Sequence, residues 1–182
     1  MKALIAAVAV TGLLACGPSA CIAQRRQLSS EQRVFGAEDE SFAQPFDLPR
    51  SILDLLSRDR MVEDSLDNKG IRPEDLPASW FLASAVHLSR PSEQDVVVMG
   101  RCPVCGANVA PFWVFRPAEG GYNLVFFGGG LALSISKHRS NGYLDLETSL
   151  VSIQKPWSGV WRFDGSRYQL VPENKQRSEN SN

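Results

Sequence analysis

The sequence predicts an α+β domain: one or two N-terminal helices, then a mostly antiparallel sheet of seven or eight strands, curved or barrel-like. Three observations carry this expectation. Apolar residues fall at helical spacing between Asp47 and Gly70. From Trp80 onward the period of the apolar pattern changes to two, which places alternate side chains on opposite faces of a strand. The later apolar runs are separated by short Gly, Asn and Asp clusters, so successive strands pair as neighbours in a meander.

The elements follow in order. Residues 24–46 are polar with scattered Phe and read as an extended lead-in, flexible as far as Val34. Asp47 is a candidate cap, Pro49 suits a first helical turn, and Ile52, Leu55 and Leu56 share one face. The stretch SRDRMVEDSLDNKG continues that helix or starts a second one ended by Gly70, and RPEDLP is a loop or single turn. Trp80 to Leu88 alternates as a strand, and 95–99 (DVVVM) and 112–117 (FWVFRP) are the next two. Gly120-Gly121 links to YNLVFF in a hairpin. The triplet Gly128-Gly129-Gly130 is expected to break that strand as a wide turn or bulge before LALSISK. Ser140-Asn141-Gly142 is a two-residue turn signal into YLDLE, and GVWRF, Asp164-Gly165 and RYQLV form a last hairpin. The segment 172–182 has the composition of a disordered tail, and no internal repeat is found. The globular part is therefore expected to be one domain over 47–171.

Composition narrows the function classes. With 43% hydrophobic and 21% charged residues in 182, the chain can build one ordinary core without many disulfides. Nineteen Lys and Arg against twenty Asp and Glu leave a formal charge of -1. No basic excess or lysine-rich run is available to neutralise phosphates, so nucleic acid is not the expected partner.

The start, MKALIAAVAVTGLLACGPSACIAQ, has the pattern of an export signal: Lys2, then an uncharged apolar run from Ala3 to Ala15. The run is shorter than the roughly 20 residues of a membrane-spanning helix. Two cuts are open. One removes residues 1–23, before Gln24. The other is a lipobox cut that makes Cys16 the lipidated first residue, with a lipid anchor to an outer membrane. No later stretch has the length and apolarity to cross a membrane as a helix. The expected location is periplasmic or outer-membrane-tethered.

Cys102 and Cys105, in RCPVCG, form the one local pattern with a reactive chemistry attached. A thiol–disulfide centre needs its first Cys at a helix N-terminus, where the dipole and free N–H groups hold the thiolate. Gly106, Val109, Pro111 and the run FWVF are poor helix formers, which opposes that reading. A structural zinc site needs four ligands, and only His87 and His138 could complete a set, at spacings unlike known fingers. The favoured reading is a disulfide pinching the loop between two strands, contributing roughly 2 kcal/mol. No cofactor is expected.

Other residues offer binding or chemistry. Trp157, next to Ser158-Gly159, together with Trp161 and Tyr143, is the candidate ligand surface among the clustered aromatics. Asp145 and Glu147 lie two apart on one strand face and read as a solvated strand edge. Ser134 and Ser136 lie outside any nucleophile-elbow pattern.

SNGYLDLE and VWRFDGSRYQL together resemble the C-terminal end of small exported bacterial proteins of unknown function, over about residues 140–170. A Gly-Tyr-x-Asp-Leu strand there precedes an Arg-Phe-Asp-Gly-x-x-Tyr hairpin. The resemblance implies a Gram-negative envelope setting and assigns no activity. The functional expectation is a non-catalytic protein that binds a protein or envelope ligand, with an inhibitor or immunity role as one form. A thiol–disulfide oxidoreductase using Cys102 and Cys105, and a structural zinc module, are the alternatives.

Overall fold

The computed structural model describes residues 31–106, 109–151 and 156–172. The expectations for the leader, including Cys16, and for the tail beyond Pro172 lie outside those residues. The compact body begins at Gln32.

Its elements are β1 (Val34–Gly36), α1 (Arg50–Leu56), α2 (Arg60–Lys69), β2 (Phe81–Val86), β3 (Asp95–Gly100), β4 (Ala110–Ala118), β5 (Gly121–Gly130), β6 (Ala132–Ser140), β7 (Tyr143–Val151), β8 (Pro156–Phe163) and β9 (Tyr168–Leu170). Single 3-10 turns at Pro73–Asp75 and Ala78–Trp80 lead into β2. The strands form two antiparallel sheets, ordered β2-β3-β4-β5 and β1-β6-β7-β8-β9. The chain is thus α+β as expected, with two meanders in succession. The barrel-like alternative is corrected: the strands divide between two open sheets.

The division happens at the glycine triplet. The sequence reading broke the strand there, but β5 runs straight through Gly128–Gly130 and β6 begins two residues later. At Leu131 the chain changes sheets: its N–H donates to Ser149 O on β7 at 2.7 Å. A Cβ on Gly130 would sit 2.8 Å from that same Ser149 oxygen. Glycine is what allows one continuous run of chain to leave β4 and join β7 without a loop.

Three layers result. The two sheets bury Phe35, Val97, Met99, Phe112, Val114, Phe126, Leu133, Leu146, Phe163 and Tyr168 between them. The other face of the four-stranded sheet receives the helices through Ile52, Leu56, Val62, Leu66, Val96, Val98, Trp113 and Phe115. This explains why β3 is buried at every position, with its odd residues in one core and its even ones in the other. A strand covered on both faces reads as continuous rather than alternating hydrophobicity.

The helices depart from the reading in one detail. Asp47 is not a cap: α1 starts after Pro49 with no side-chain cap. Asp59 caps α2, accepting from Met61 N–H, and Gly70 ends it in the left-handed region at φ 65°. The lead-in is also more ordered than expected. β1 pairs with β6, Phe35 and Phe42 are buried, and Pro45 bridges to Ser84 on β2. Folded structure therefore starts well before residue 47.

Candidate functional site

A cleft of about 850 Å3 opens where the turn after β1, the 3-10 turn before β2 and the β3–β4 connection meet. Glu38, Glu40, Trp80, Arg101, Cys102 and Cys105 are among its walls.

One wall is the cysteine loop. β3 ends at Gly100, where a Cβ would lie 2.7 Å from the ring of Pro111 and 3.2 Å from Trp113, so only glycine lets the strand leave this close to β4. Arg101 N–H then donates to Trp80 O at 2.7 Å, and Val104 N–H to Arg101 O at 2.8 Å. Cys102 and Cys105 are joined, with S–S 2.00 Å and Cα–Cα 4.6 Å. The Cys102–Pro103 peptide is cis. Val104, between the two sulfurs, is buried in the core under the helices and anchors the loop. Cys102 is exposed and lines the cleft. The described backbone that follows Cys102 is a turn and then β4, with no helix start. Among the described residues, Cys102 therefore does not begin a helix whose N-terminus would stabilise its thiolate. Joined in a disulfide, the pair also offers no thiolate to a metal.

The facing wall is the turn after β1. Gly36 N–H donates to Asp39 Oδ2 at 2.9 Å, and Asp39 N–H returns a bond to Gly36 O at 3.0 Å. Ala37 N–H ties the turn to Leu131 O at 2.7 Å. This small knot leaves Glu38 and Glu40 exposed at the rim. Neither has an ion-pair partner among the described residues. Three carboxylates against the Arg101 guanidinium give the cleft a negative balance, with the half-buried indole of Trp80 in its wall. Such a setting favours a cationic group through Coulomb attraction.

The other sequence-named residues fall elsewhere. Trp157 is exposed on β8, while Trp161 is half-buried, its Nε1 donating to Thr148 Oγ1 at 3.0 Å and its ring edge-on to Phe126. Tyr143 does not join them. It stands at the start of β7, whereas Trp161 pairs with Leu146 and Trp157 with Leu150 farther along, and its ring lies 4.3 Å from Phe163 and under the Arg116 guanidinium. His87 follows β2 at the end that pairs with Asp95, whereas the cysteines follow the other end of β3. His138 lies in the other sheet. These residues are thus not gathered around the sulfurs.

The reading of Asp145 as solvated is overturned. Glu147 is exposed, but Asp145 is buried at 1% exposure, with His138 Nδ1 and Arg162 Nε both 3.6 Å from its Oδ2. The irregularity that leaves residues 136–138 between the Ile135 and Arg139 pairings puts His138 there. Ser136 is engaged as well, its Oγ accepting from His138 N–H at 3.2 Å.

A second buried charge went unnoticed in the sequence. Asp95, at the head of β3, points between the sheets. It accepts from Arg116 Nε at 3.3 Å and from Leu88 N–H at 3.3 Å. Burial pushes its carboxyl above the ordinary range, and Arg116 and the Leu88 N–H pull it back only in part. Arg116 also stacks on Tyr143 and Phe163, at 3.9 and 4.5 Å from the ring centroids. Burial, then the Asp95 charge, raises the nearby Tyr168 hydroxyl, which donates to Leu144 O at 2.8 Å. A charged residue at each end of otherwise apolar runs was the available signal.

Comparison with protein-family models, with curated proteins and with solved structures gives no match to this chain.

Proposed function

We propose that this chain is an exported, non-catalytic binding protein of the bacterial envelope, and that a basic group of a protein or envelope ligand enters the cleft beside the Cys102–Cys105 disulfide. The observation that carries the reading is the cleft itself: a concave space with exposed rim carboxylates that have no ion-pair partner among the described residues, Trp80 in its wall and a cross-linked loop. Concave sites with a few convergent polar groups are the usual form of a ligand site. The apolar leader supports export, either by cleavage before Gln24 or by lipidation at Cys16. An oxidising compartment suits a disulfide in an exposed turn.

The test is calorimetric titration with a short lysine- and arginine-rich peptide, and with its glutamate-rich counterpart as control. Binding of the basic peptide alone is expected, weakening with salt and lost in Glu38→Gln/Glu40→Gln and in Trp80→Ala. Equal binding by the Gln variant, or none by the native protein, overturns the reading.

The exposure of Cys102 in the cleft favours one rival, a thiol–disulfide oxidoreductase. That reading requires a thiolate pKa far below the ordinary ~8.5 for cysteine. The pH dependence of alkylation of the reduced protein separates the two.

A further inference from the structure

The cleft beside the disulfide draws its lining from both sheets, and its two kinds of charge come from different ones. Glu38, Asp39 and Glu40 belong to the turn after β1, which pairs with β6 and is tied to Leu131 O through Ala37 N–H. Arg101 follows β3 of the four-stranded sheet, and its N–H donates to Trp80 O at 2.7 Å. The fold therefore sets a negative side and a positive side independently.

These charges do not neutralise one another. No ion pair or side-chain hydrogen bond joins Arg101 to Glu38, Asp39 or Glu40. Asp39 instead accepts from Gly36 N–H at 2.9 Å. Arg101, Glu38 and Glu40 are exposed, and among the described residues nothing pairs with their side chains. A purely cationic ligand is drawn to the carboxylates and repelled by Arg101, and a lone carboxylate meets the reverse balance. A ligand that carries both charges satisfies both sides. The lining also includes Val109 and Leu131, apolar and half-buried.

We infer that the cleft takes the C-terminal end of a peptide whose last residue is lysine or arginine. The inference rests on the reading of the cleft as a site for a cationic group and adds the second charge. The α-carboxylate pairs with the Arg101 guanidinium, whose planar fork matches a carboxylate through two parallel N–H···O bonds. The side-chain cation turns to Glu38 and Glu40. Its methylene stem suits Val109 and Leu131, since long basic side chains bury their stems while the charged head stays in water. An α-ammonium stands next to its own carboxylate. A side-chain cation is several bonds away, as two protein charges too far apart to pair with each other require.

Calorimetric titration at low salt tests this with two peptides, acetyl-Ala-Ala-Lys as the free acid and as its C-terminal amide. The native protein is expected to bind the acid about fivefold tighter than the amide, the scale of one partly exposed charge pair. In Arg101→Gln the preference for the acid should vanish, while the amide binds at least as tightly as to the native protein, because a repelling cation has gone. A merely structural role for Arg101 would instead weaken both peptides. Glu38→Gln/Glu40→Gln should weaken both. An amide that binds the native protein as tightly as the acid overturns this inference alone and leaves the cation site standing. So does a preference for the acid that survives Arg101→Gln. If neither peptide binds, the cation site falls and this inference falls with it.

Discussion

Replacing Arg116 by Met exposes how the body tolerates a charge between its sheets. Asp95 is 1% exposed, and its remaining donor would be Leu88 N–H at 3.3 Å. Removing one partner of a buried ion pair costs about 3–5 kcal/mol. An upper bound comes from protonation, since the abandoned carboxylate can take up a proton instead of staying charged. Against an ordinary carboxyl near 3.9 in the unfolded chain, protonation at pH 7.5 costs about 5 kcal/mol, and at pH 5.0 only about 1.5. Loss of the guanidinium from Tyr143 and Phe163 adds about 0.5–1 kcal/mol that does not vary with pH. The sign follows from proton counts. The folded carboxyl already titrates above its unfolded value, and without Arg116 it rises further. Across the window between those two values the folded state binds more protons than the unfolded one, so stability falls as pH rises. Urea denaturation followed by tryptophan fluorescence should show a deficit of about 3–5 kcal/mol at pH 7.5, shrinking to about 2.5 kcal/mol or less at pH 5.0. An equal deficit at both values, or one below about 1 kcal/mol at pH 7.5, refutes the account of a buried charge held by its partner.

Two further outcomes concern the backbone. Cys102→Ser/Cys105→Ser should remain folded and lose about 2 kcal/mol or less in urea melts, because the closed loop is so short; global unfolding would mean that the crosslink, not Val104 and the sheet, holds the β3–β4 connection. Gly130→Ala should cost roughly 1–3 kcal/mol, since the new methyl meets Ser149 O at the sheet change, and an unchanged thermal melt would show that the crossover adapts freely.

The elements were legible wherever a local rule acts alone. Alternation and turn chemistry located eight strands, and Asn141 and Gly142 do adopt the positive φ values, 49° and 82°, that a tight hairpin needs. Gly70 ends α2 as its lack of a Cβ allows. β1 escaped because three residues hold no readable period, and its pairing with β6 lies about a hundred residues away. The glycine triplet reads as a break because sequence does not distinguish a turn from a strand that changes partners. The cleft was half legible. The cysteine pair stands out, but its opposite wall comes from a polar turn with no motif.

What the residues alone determine is local: where the chain is extended or helical, which turns close, that two cysteines three apart can meet, and an overall charge near zero. Tertiary structure decided which sheet each strand enters, that Asp95 and Asp145 lose their water, and that Glu38 and Glu40 stand across from the disulfide. The division has one physical cause. Backbone preference and side-chain period act over a few residues, whereas burial and charge pairing depend on neighbours brought together from distant parts of the chain.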